Sequence, residues 1–243
     1  MQSFFVWAHR GSSAVAPENT IAAFAEAEAA EADGIELDVH LSRDGVPVVI
    51  HDETLRRTTE GSGLVADFSV TELQRLDAGS WFSSEFAGEV IPTLEEVLEW
   101  AAGRLRINVE IKTADAGLAV LELLRSLAGS DVLLSSFDSD LLAFLRRDDD
   151  DLPLGFLCDG RPWKKVLQKA IECKAESFHP RRNLVTRPMI AACRRSKIGI
   201  YPWTVDRPQD IRRFRRLGTD GLFTNNPREV RKVLRRPAQA GTL

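Results

Sequence analysis

Apolar and polar residues alternate along Gly34-Ile-Glu-Leu-Asp-Val-His-Leu41. Ile35, Leu37, Val39 and Leu41 fall on one face, and Glu36, Asp38 and His40 on the other, as a strand arranges them. A solvated edge strand shows this pattern. If the strand is interior instead, its carboxylates need a cation or a proton. A short turn, Ser42-Arg-Asp-Gly45, leads into Val46-Pro-Val-Val-Ile-His-Asp52, which is apolar until His51. That run reads as a buried interior strand.

The rest of the chain repeats a strand–helix rhythm. Residues 4–8 read as the first strand, and Asn19 or Thr20 as the cap of a helix over about 21–31. Thr93, with Glu96 three residues on, forms a capping box that starts a helix. Strands are then predicted over about 106–112, 132–137, 154–157, 177–180, 198–203 and 221–224. Helices are predicted between them, and a last one opens at Pro227. Counting the central pair as one unit gives about eight strand–helix units in 243 residues. This is an α/β pattern, and a (β/α)₈ barrel is the fold it suggests; a doubly wound open sheet is the rival. The expected organisation is a single domain over residues 1–243. Residues 53–92 break the rhythm and read as a subdomain inserted after the second barrel strand, with a short helix over about 71–76.

Composition narrows the classes of function. Net charge is −4, which argues against a nucleic-acid partner. The basic stretches 212–216 and 231–236 read as solvated helix faces, the acidic run 148–151 as a loop, and the tail from Pro237 as frayed. No apolar run is long enough to span a membrane, and the N-terminus lacks a basic, cleavable leader. Cys158, Cys173 and Cys193 have no zinc spacing and read as buried apolar residues. The expected location is the cytoplasm, with no stable membrane insertion; nothing in the sequence speaks to oligomeric state.

Polar residues collect at the predicted strand ends: His9, Glu36, Asp38, His51, Glu110, Lys112, His179, Trp203 and Asn225. Barrel enzymes place their sites at that end. Glu36, Asp38 and Glu110 form an oxygen-rich set suited to one hard divalent cation, Mg²⁺ or Ca²⁺. Separate ion pairs with Arg10 and Lys112 are the alternative, and periodicity alone does not choose. His9 and His51 are candidate proton-transfer groups. Arg10 and Lys112 add positive charge suited to an anionic substrate. Trp203 is a candidate pocket wall. His40 reads as a support residue, and His179 as one that closes its strand end.

The motifs His9-Arg10-Gly11, Pro17-Glu18-Asn19-Thr20, Glu36-Leu37-Asp38-Val39, Val48-Val49-Ile50-His51-Asp52 and Leu55-Arg56-Arg57-Thr58-Thr59 follow one another in order. Ile91-Pro92-Thr93-Leu94-Glu95-Glu96, Val109-Glu110-Ile111-Lys112 and Trp203-Thr204-Val205-Asp206 continue the series. In this ordered set the chain resembles the glycerophosphodiester phosphodiesterases of the compact bacterial type. The resemblance implies a (β/α)₈ barrel with an insertion at 53–92 and a small-molecule glycerophosphodiester substrate. It implies one divalent cation on Glu36, Asp38 and Glu110, and His9 and His51 as the acid–base pair. Arg10 and Lys112 would hold phosphate, and Trp203 would line the pocket. Two other readings remain open on the residues, beside a non-catalytic phospholipid-headgroup binding module, against which the presence of both histidines and all three carboxylates argues. One is a lysophospholipase-D-like enzyme, for which Trp81, Phe82 and Phe86 would have to build an apolar groove. The other is a different barrel metalloenzyme.

Overall fold

The computed structural model describes residues 4–127, 131–160 and 162–235. The chain opens with β1 (Phe5–His9), α1 (Ile21–Ala29), β2 (Gly34–Leu41) and β3 (Pro47–Val49). A long excursion containing α2 (Val70–Leu73) leads to α3 (Leu94–Ala101). Strict alternation follows: β4 (Arg106–Ile111), α4 (Ala114–Ser126), β5 (Val132–Ser136), α5 (Ser139–Asp148), β6 (Leu154–Cys158) and α6 (Trp163–Glu172). Then come β7 (Ser177–Pro180), α7 (Arg187–Arg195), β8 (Gly199–Ile200), α8 (Pro208–Leu217), β9 (Gly221–Thr224) and α9 (Pro227–Arg235).

Eight strands run parallel in the order β8-β7-β6-β5-β4-β2-β1-β9. Asp220 N donates to Ile200 O at 3.2 Å and Phe223 N to Pro202 O at 2.9 Å, which brings β9 round to the β8 edge. The fold is the (β/α)₈ barrel that the alternation predicts. Ile35, Leu37, Val39 and Val109 face outward into the main core, against Phe24, Leu94, Val97 and Leu121 of the surrounding helices. The opposite faces fill the barrel. There Trp7 stacks on Phe223 with ring centroids 5.8 Å apart, and His179 meets Phe223 edge-on at 4.8 Å. His179 is fully buried, its Nε2 is 2.8 Å from Ser177 Oγ, and burial pushes its pKa down to about 3. It is a neutral interior histidine away from the central cavity.

Two strands depart from expectation. The run 46–52 buries Val48, Val49 and Ile50, but it is not a barrel stave. β3 folds back antiparallel on the outgoing end of β2, Val39 opposite Val49. The turn Ser42–Gly45 is too short for the crossover that parallel strands need. The stretch 198–203 shrinks to the two residues of β8: Tyr201 N and Trp203 N still donate to Phe178 O and Pro180 O at 3.0 and 3.1 Å, but Pro180 has no N–H to return a bond to Tyr201. Pairing resumes as a single bridge between Arg181 and Trp203.

Between β3 and α3 the chain builds a second, smaller hydrophobic cluster from Val48, Ile50, Leu55, Val65, Leu73, Ala78 and Ile91. Its helix α2 is one turn long, closed by a capping box between Ser69 and Glu72. Trp81, Phe82 and Phe86 pack edge-to-face on one another rather than walling the central cavity. The excursion leaves and returns at one place: Val49 N donates to Pro92 O at 2.8 Å, and Val48 bridges Thr93.

Thr93 and Glu96 form the expected capping box at α3, and Thr20 caps α1. Cys158, Cys173 and Cys193 are free and buried. The arginines of 212–216 are exposed while Phe214 is buried, as for a solvated helix face. Arg236 and the tail from Pro237 lie outside the described residues. No helix among those described is long and apolar enough to cross a membrane.

Gly34 marks how tightly the barrel interior is filled. A Cβ there would lie 2.5 Å from Trp7 Cζ3 and 2.7 Å from the Arg106 carbonyl oxygen. Gly34→Ala is expected to lower unfolding stability by about 1–3 kcal/mol, the usual cost of overpacking. Urea unfolding of the two proteins side by side checks this, and an unchanged midpoint would contradict it.

Candidate functional site

Sheet register brings the polar strand-end residues together. His9 of β1 is paired with Glu36 of β2, and Asp38 of β2 with Glu110 of β4. Their side chains therefore converge at the C-terminal mouth of the barrel, where the strands end. A cavity of about 190 Å³ opens there. His9, Arg10, Glu36, His51, Asn108 and Glu110 form its polar side, and Phe137, Leu157, Trp203 and Phe223 its apolar side. Of the eight candidate residues, six line this cavity. Asp38 and Lys112 sit just behind, bound to the carboxylates that do.

The three carboxylates are nearly inaccessible: Glu36 is 3% exposed, Asp38 0% and Glu110 7%. One oxygen from each lies within 4.8 Å of the others. Asp38 is the best compensated. Lys112 Nζ is 2.6 Å from its Oδ1, Arg10 Nε 3.1 Å from its Oδ2, and Asn19 Nδ2 donates to Oδ2 at 2.9 Å. Burial works to raise its pKa, but Lys112 and Arg10 outweigh burial and hold it well below the usual carboxylate range. Glu110 also pairs with Lys112. The ion-pair reading of these residues is thus realised at Asp38 and Glu110.

Glu36 is different. Its Oε2 accepts the Arg10 backbone N–H at 2.9 Å, while Oε1 is buried with no hydrogen-bond partner. Burial, and then repulsion by Asp38, raises its pKa to about 8. The same two causes raise Glu110 to about 7. A buried carboxylate oxygen without a donor costs on the order of 1–3 kcal/mol or more. Protonation relieves that cost, and so does a cation. The donor set is all oxygen, buried and convergent, and it fits a hard divalent ion.

The turn after β1 is built for this contact. Arg10 and Gly11 both adopt left-handed backbone conformations, with φ of 56° and 80°. A Cβ on Gly11 would fall 2.6 Å from the Ala23 backbone carbonyl carbon, so the turn closes against α1. That turn directs Arg10 N at Glu36 and its guanidinium at Asp38 and Glu18.

The two histidines have contrasting partners. His9 Nδ1 is 2.8 Å from Asn225 Oδ1. The Asn225 amide is oriented by Asp206, which accepts from Nδ2 at 3.0 Å and from the Asn225 backbone N–H at 2.8 Å. The amide oxygen therefore faces His9, so Nδ1 carries the proton and Nε2 is the free acceptor. Burial, then the charge of Arg10, lowers the His9 pKa. His51 Nδ1 instead meets a carboxylate, Asp52 Oδ1, at 2.6 Å. Burial lowers the His51 pKa, while Asp38 and the Asp52 hydrogen bond work to raise it. His40 Nε2 donates to the His51 carbonyl at 3.0 Å, the support role expected of it.

Trp203 donates from Nε1 to the His179 carbonyl at 2.8 Å, and its ring meets Phe137 edge-on at 5.6 Å. Sequence reasoning passed over several residues. The pattern assigns no role to Phe137 or Asp206, reads Asn19 only as a possible helix cap, and marks Asn225 only for its strand end. The signals for Asp206 and Asn19 were present, since both sit in the quoted motifs.

Residues 9–229 match the glycerophosphoryl diester phosphodiesterase family. A glycerophosphodiester phosphodiesterase of Caldanaerobacter subterraneus subsp. tengcongensis is 39% identical over 241 residues, covering 95% of this chain and 98% of that protein. A glycerophosphodiester phosphodiesterase structure from Agrobacterium tumefaciens superposes with a TM-score of 0.82 at 31% identity, over 93% of this chain and 98% of that one. An Oleispira antarctica phosphodiesterase in complex with the product sn-glycerol-3-phosphate superposes with a TM-score of 0.88 at 28% identity, over 96% of this chain and 97% of that one. The chain belongs to the glycerophosphoryl diester phosphodiesterase family and is an enzyme of that family, a phosphoric diester hydrolase.

Proposed function

We propose that the chain hydrolyses glycerophosphodiesters such as glycerophosphocholine or glycerophosphoethanolamine to glycerol 3-phosphate and an alcohol, with His9 and His51 as its acid–base pair. The observation that carries the reading is the pairing of two differently partnered imidazoles with a three-carboxylate cluster on one cavity. The product named for the Oleispira relative supports the same substrate class.

Glu36, Asp38 and Glu110 would hold one divalent cation, Mg²⁺ or Ca²⁺. When bound, it supplies Lewis-acid polarisation and neutralises phosphate charge. The protein's own groups do the rest. Arg10 lines the cavity and Lys112 stands behind its carboxylates, and their fixed positive charges would stabilise the charge that builds on the phosphodiester oxygens. His9 is tied to a neutral amide, and burial and Arg10 lower its pKa, which suits its Nε2 to take the proton of the attacking hydroxyl. The attacking group is a glycerol hydroxyl of the substrate, giving a cyclic glycerol phosphate that water then opens; direct attack by water is the variant. His51, backed by the Asp52 carboxylate, is suited to carry a proton and delivers it to the departing alcohol. Trp203 and Phe137 close the apolar side of the cavity and keep water from that flank.

We read residues 53–92 as a subdomain inserted in a single barrel domain, supported by their separate hydrophobic cluster. The three buried free thiols fit a reducing cytoplasm, the location we propose.

Chelator-stripped protein given glycerophosphocholine is expected to release glycerol 3-phosphate only when Mg²⁺ or Ca²⁺ is restored. His51→Ala and His9→Ala should each lower turnover by about 10²–10⁴-fold, the scale of general acid–base groups. Full activity in either variant would remove that residue from the pair. Stability gives a second check. The folded protein holds protons on Glu36 and Glu110 that the unfolded chain releases above its ordinary carboxyl pKa of 4.5. These two groups therefore make the chelated protein less stable as pH rises through about 7 and 8. A bound cation offsets this, so Mg²⁺ or Ca²⁺ should raise the melting temperature more at about pH 9 than at about pH 5. An equal rise at both would argue that these carboxylates are not the ligands.

A further inference from the structure

Arg57 lies in the inserted segment and does not line the central cavity. Its placement is nevertheless closely specified. Leu55 is fully buried in the smaller hydrophobic cluster. Thr59 closes a turn back on it, with backbone N and Oγ1 both donating to Leu55 O at 3.1 and 2.8 Å. Thr59 Oγ1 also accepts from Gly61 N at 2.9 Å. The turn therefore stands on the insertion's own core and aims Arg57 back at the barrel.

There the guanidinium spans two carboxylates. Nε donates to Asp52 Oδ2 at 2.7 Å and NH2 to Asp52 Oδ1 at 3.0 Å. NH1 donates to Glu18 Oε2 at 2.9 Å and NH2 to Glu18 Oε1 at 2.8 Å. Each carboxylate also serves a residue of the site. Asp52 Oδ1 receives His51 Nδ1 at 2.6 Å, and Glu18 Oε1 receives Arg10 NH1 at 2.9 Å. A planar fork can hold two carboxylates at fixed angles, which an ammonium cannot.

We propose that Arg57 is a positioning residue: it locks Asp52 so that His51 is held in its proton-donating orientation, and through Glu18 it ties the same lock to Arg10. The inserted segment thereby becomes part of the catalytic apparatus without touching substrate. This inference rests on the reading of His51 as an acid–base group, and the test separates the two.

Arg57→Ala, Arg57→Lys, Asp52→Ala and the Asp52→Ala/Arg57→Ala double variant are assayed beside His51→Ala on glycerophosphocholine, with thermal melts of each. Arg57→Ala should lower kcat by about 10- to 100-fold, the scale of losing the partner that orients a site residue. Free guanidinium added to Arg57→Ala should recover part of that kcat. Arg57→Lys should stay impaired, since a point charge does not replace the fork. The double variant should fall below Asp52→Ala by much less than the Arg57→Ala factor, because Arg57 acts chiefly through Asp52. Wild-type kcat in Arg57→Ala or Arg57→Lys overturns the assignment. So does a double variant whose losses multiply, or a loss in Arg57→Ala that free guanidinium does not restore. Wild-type turnover in His51→Ala overturns the acid–base reading along with it, whereas wild-type turnover in Arg57→Ala alone leaves that reading standing.

Discussion

Three carboxylates converge inside a barrel that gives them almost no water, and the neighbourhood is arranged around that electrostatic load. An isolated buried charge is far too costly to keep, so each carboxylate must be matched or protonated. The matching charges come from separate elements: Lys112 from the end of β4, Arg10 from the turn after β1, and the Asn19 amide from the loop before α1. Asp38 absorbs most of this help. Glu36 is left with a single backbone N–H and an orphan oxygen. Asp38 is thus the best matched of the three, and the cluster keeps carboxylate oxygens that a cation could share.

The two histidines reach this centre by different structural routes. His9 ends a barrel stave, and its orientation comes from Asn225 and Asp206 on the neighbouring edge. His51 follows β3, the short return strand that pairs antiparallel with β2 and lies outside the ring of parallel staves. One imidazole is thus built into the rigid cylinder, and the other is delivered by a hairpin and the chain beyond it. Their hydrogen-bond partners differ, a neutral amide at His9 and a carboxylate at His51, without any difference in the residue itself.

Much of this was legible in residue patterns. The two-residue period of 34–41 separates Ile35, Leu37 and Val39 from Glu36 and Asp38 correctly, because an interior barrel strand has two unlike faces. The capping box at Thr93 and Glu96 is local chemistry and needs no tertiary context. The fate of 46–52 was harder to read. An apolar run is equally compatible with a barrel stave and with a strand sandwiched between two clusters, and only its single antiparallel partner tells them apart. Asn19 was ambiguous in the same way. Either Asn19 or Thr20 can cap a helix, but the left-handed backbone at Asn19 sends its amide to Asp38 instead. The Arg57 fork was beyond reach, since it joins residues 18, 52 and 57 through a turn whose direction is set by packing.

The excursion between β3 and α3 has its own consequence. Its first and last residues are held together by the Val49–Pro92 hydrogen bond and the Val48–Thr93 bridge. For the barrel, the whole detour has no net displacement: the chain resumes where it stepped off. The entropic cost of closing such a loop grows only slowly with its length. A change in the detour's length therefore need not disturb the register of the staves. The fold in this sense carries a socket, and what is plugged into it leaves the cylinder beneath as it was.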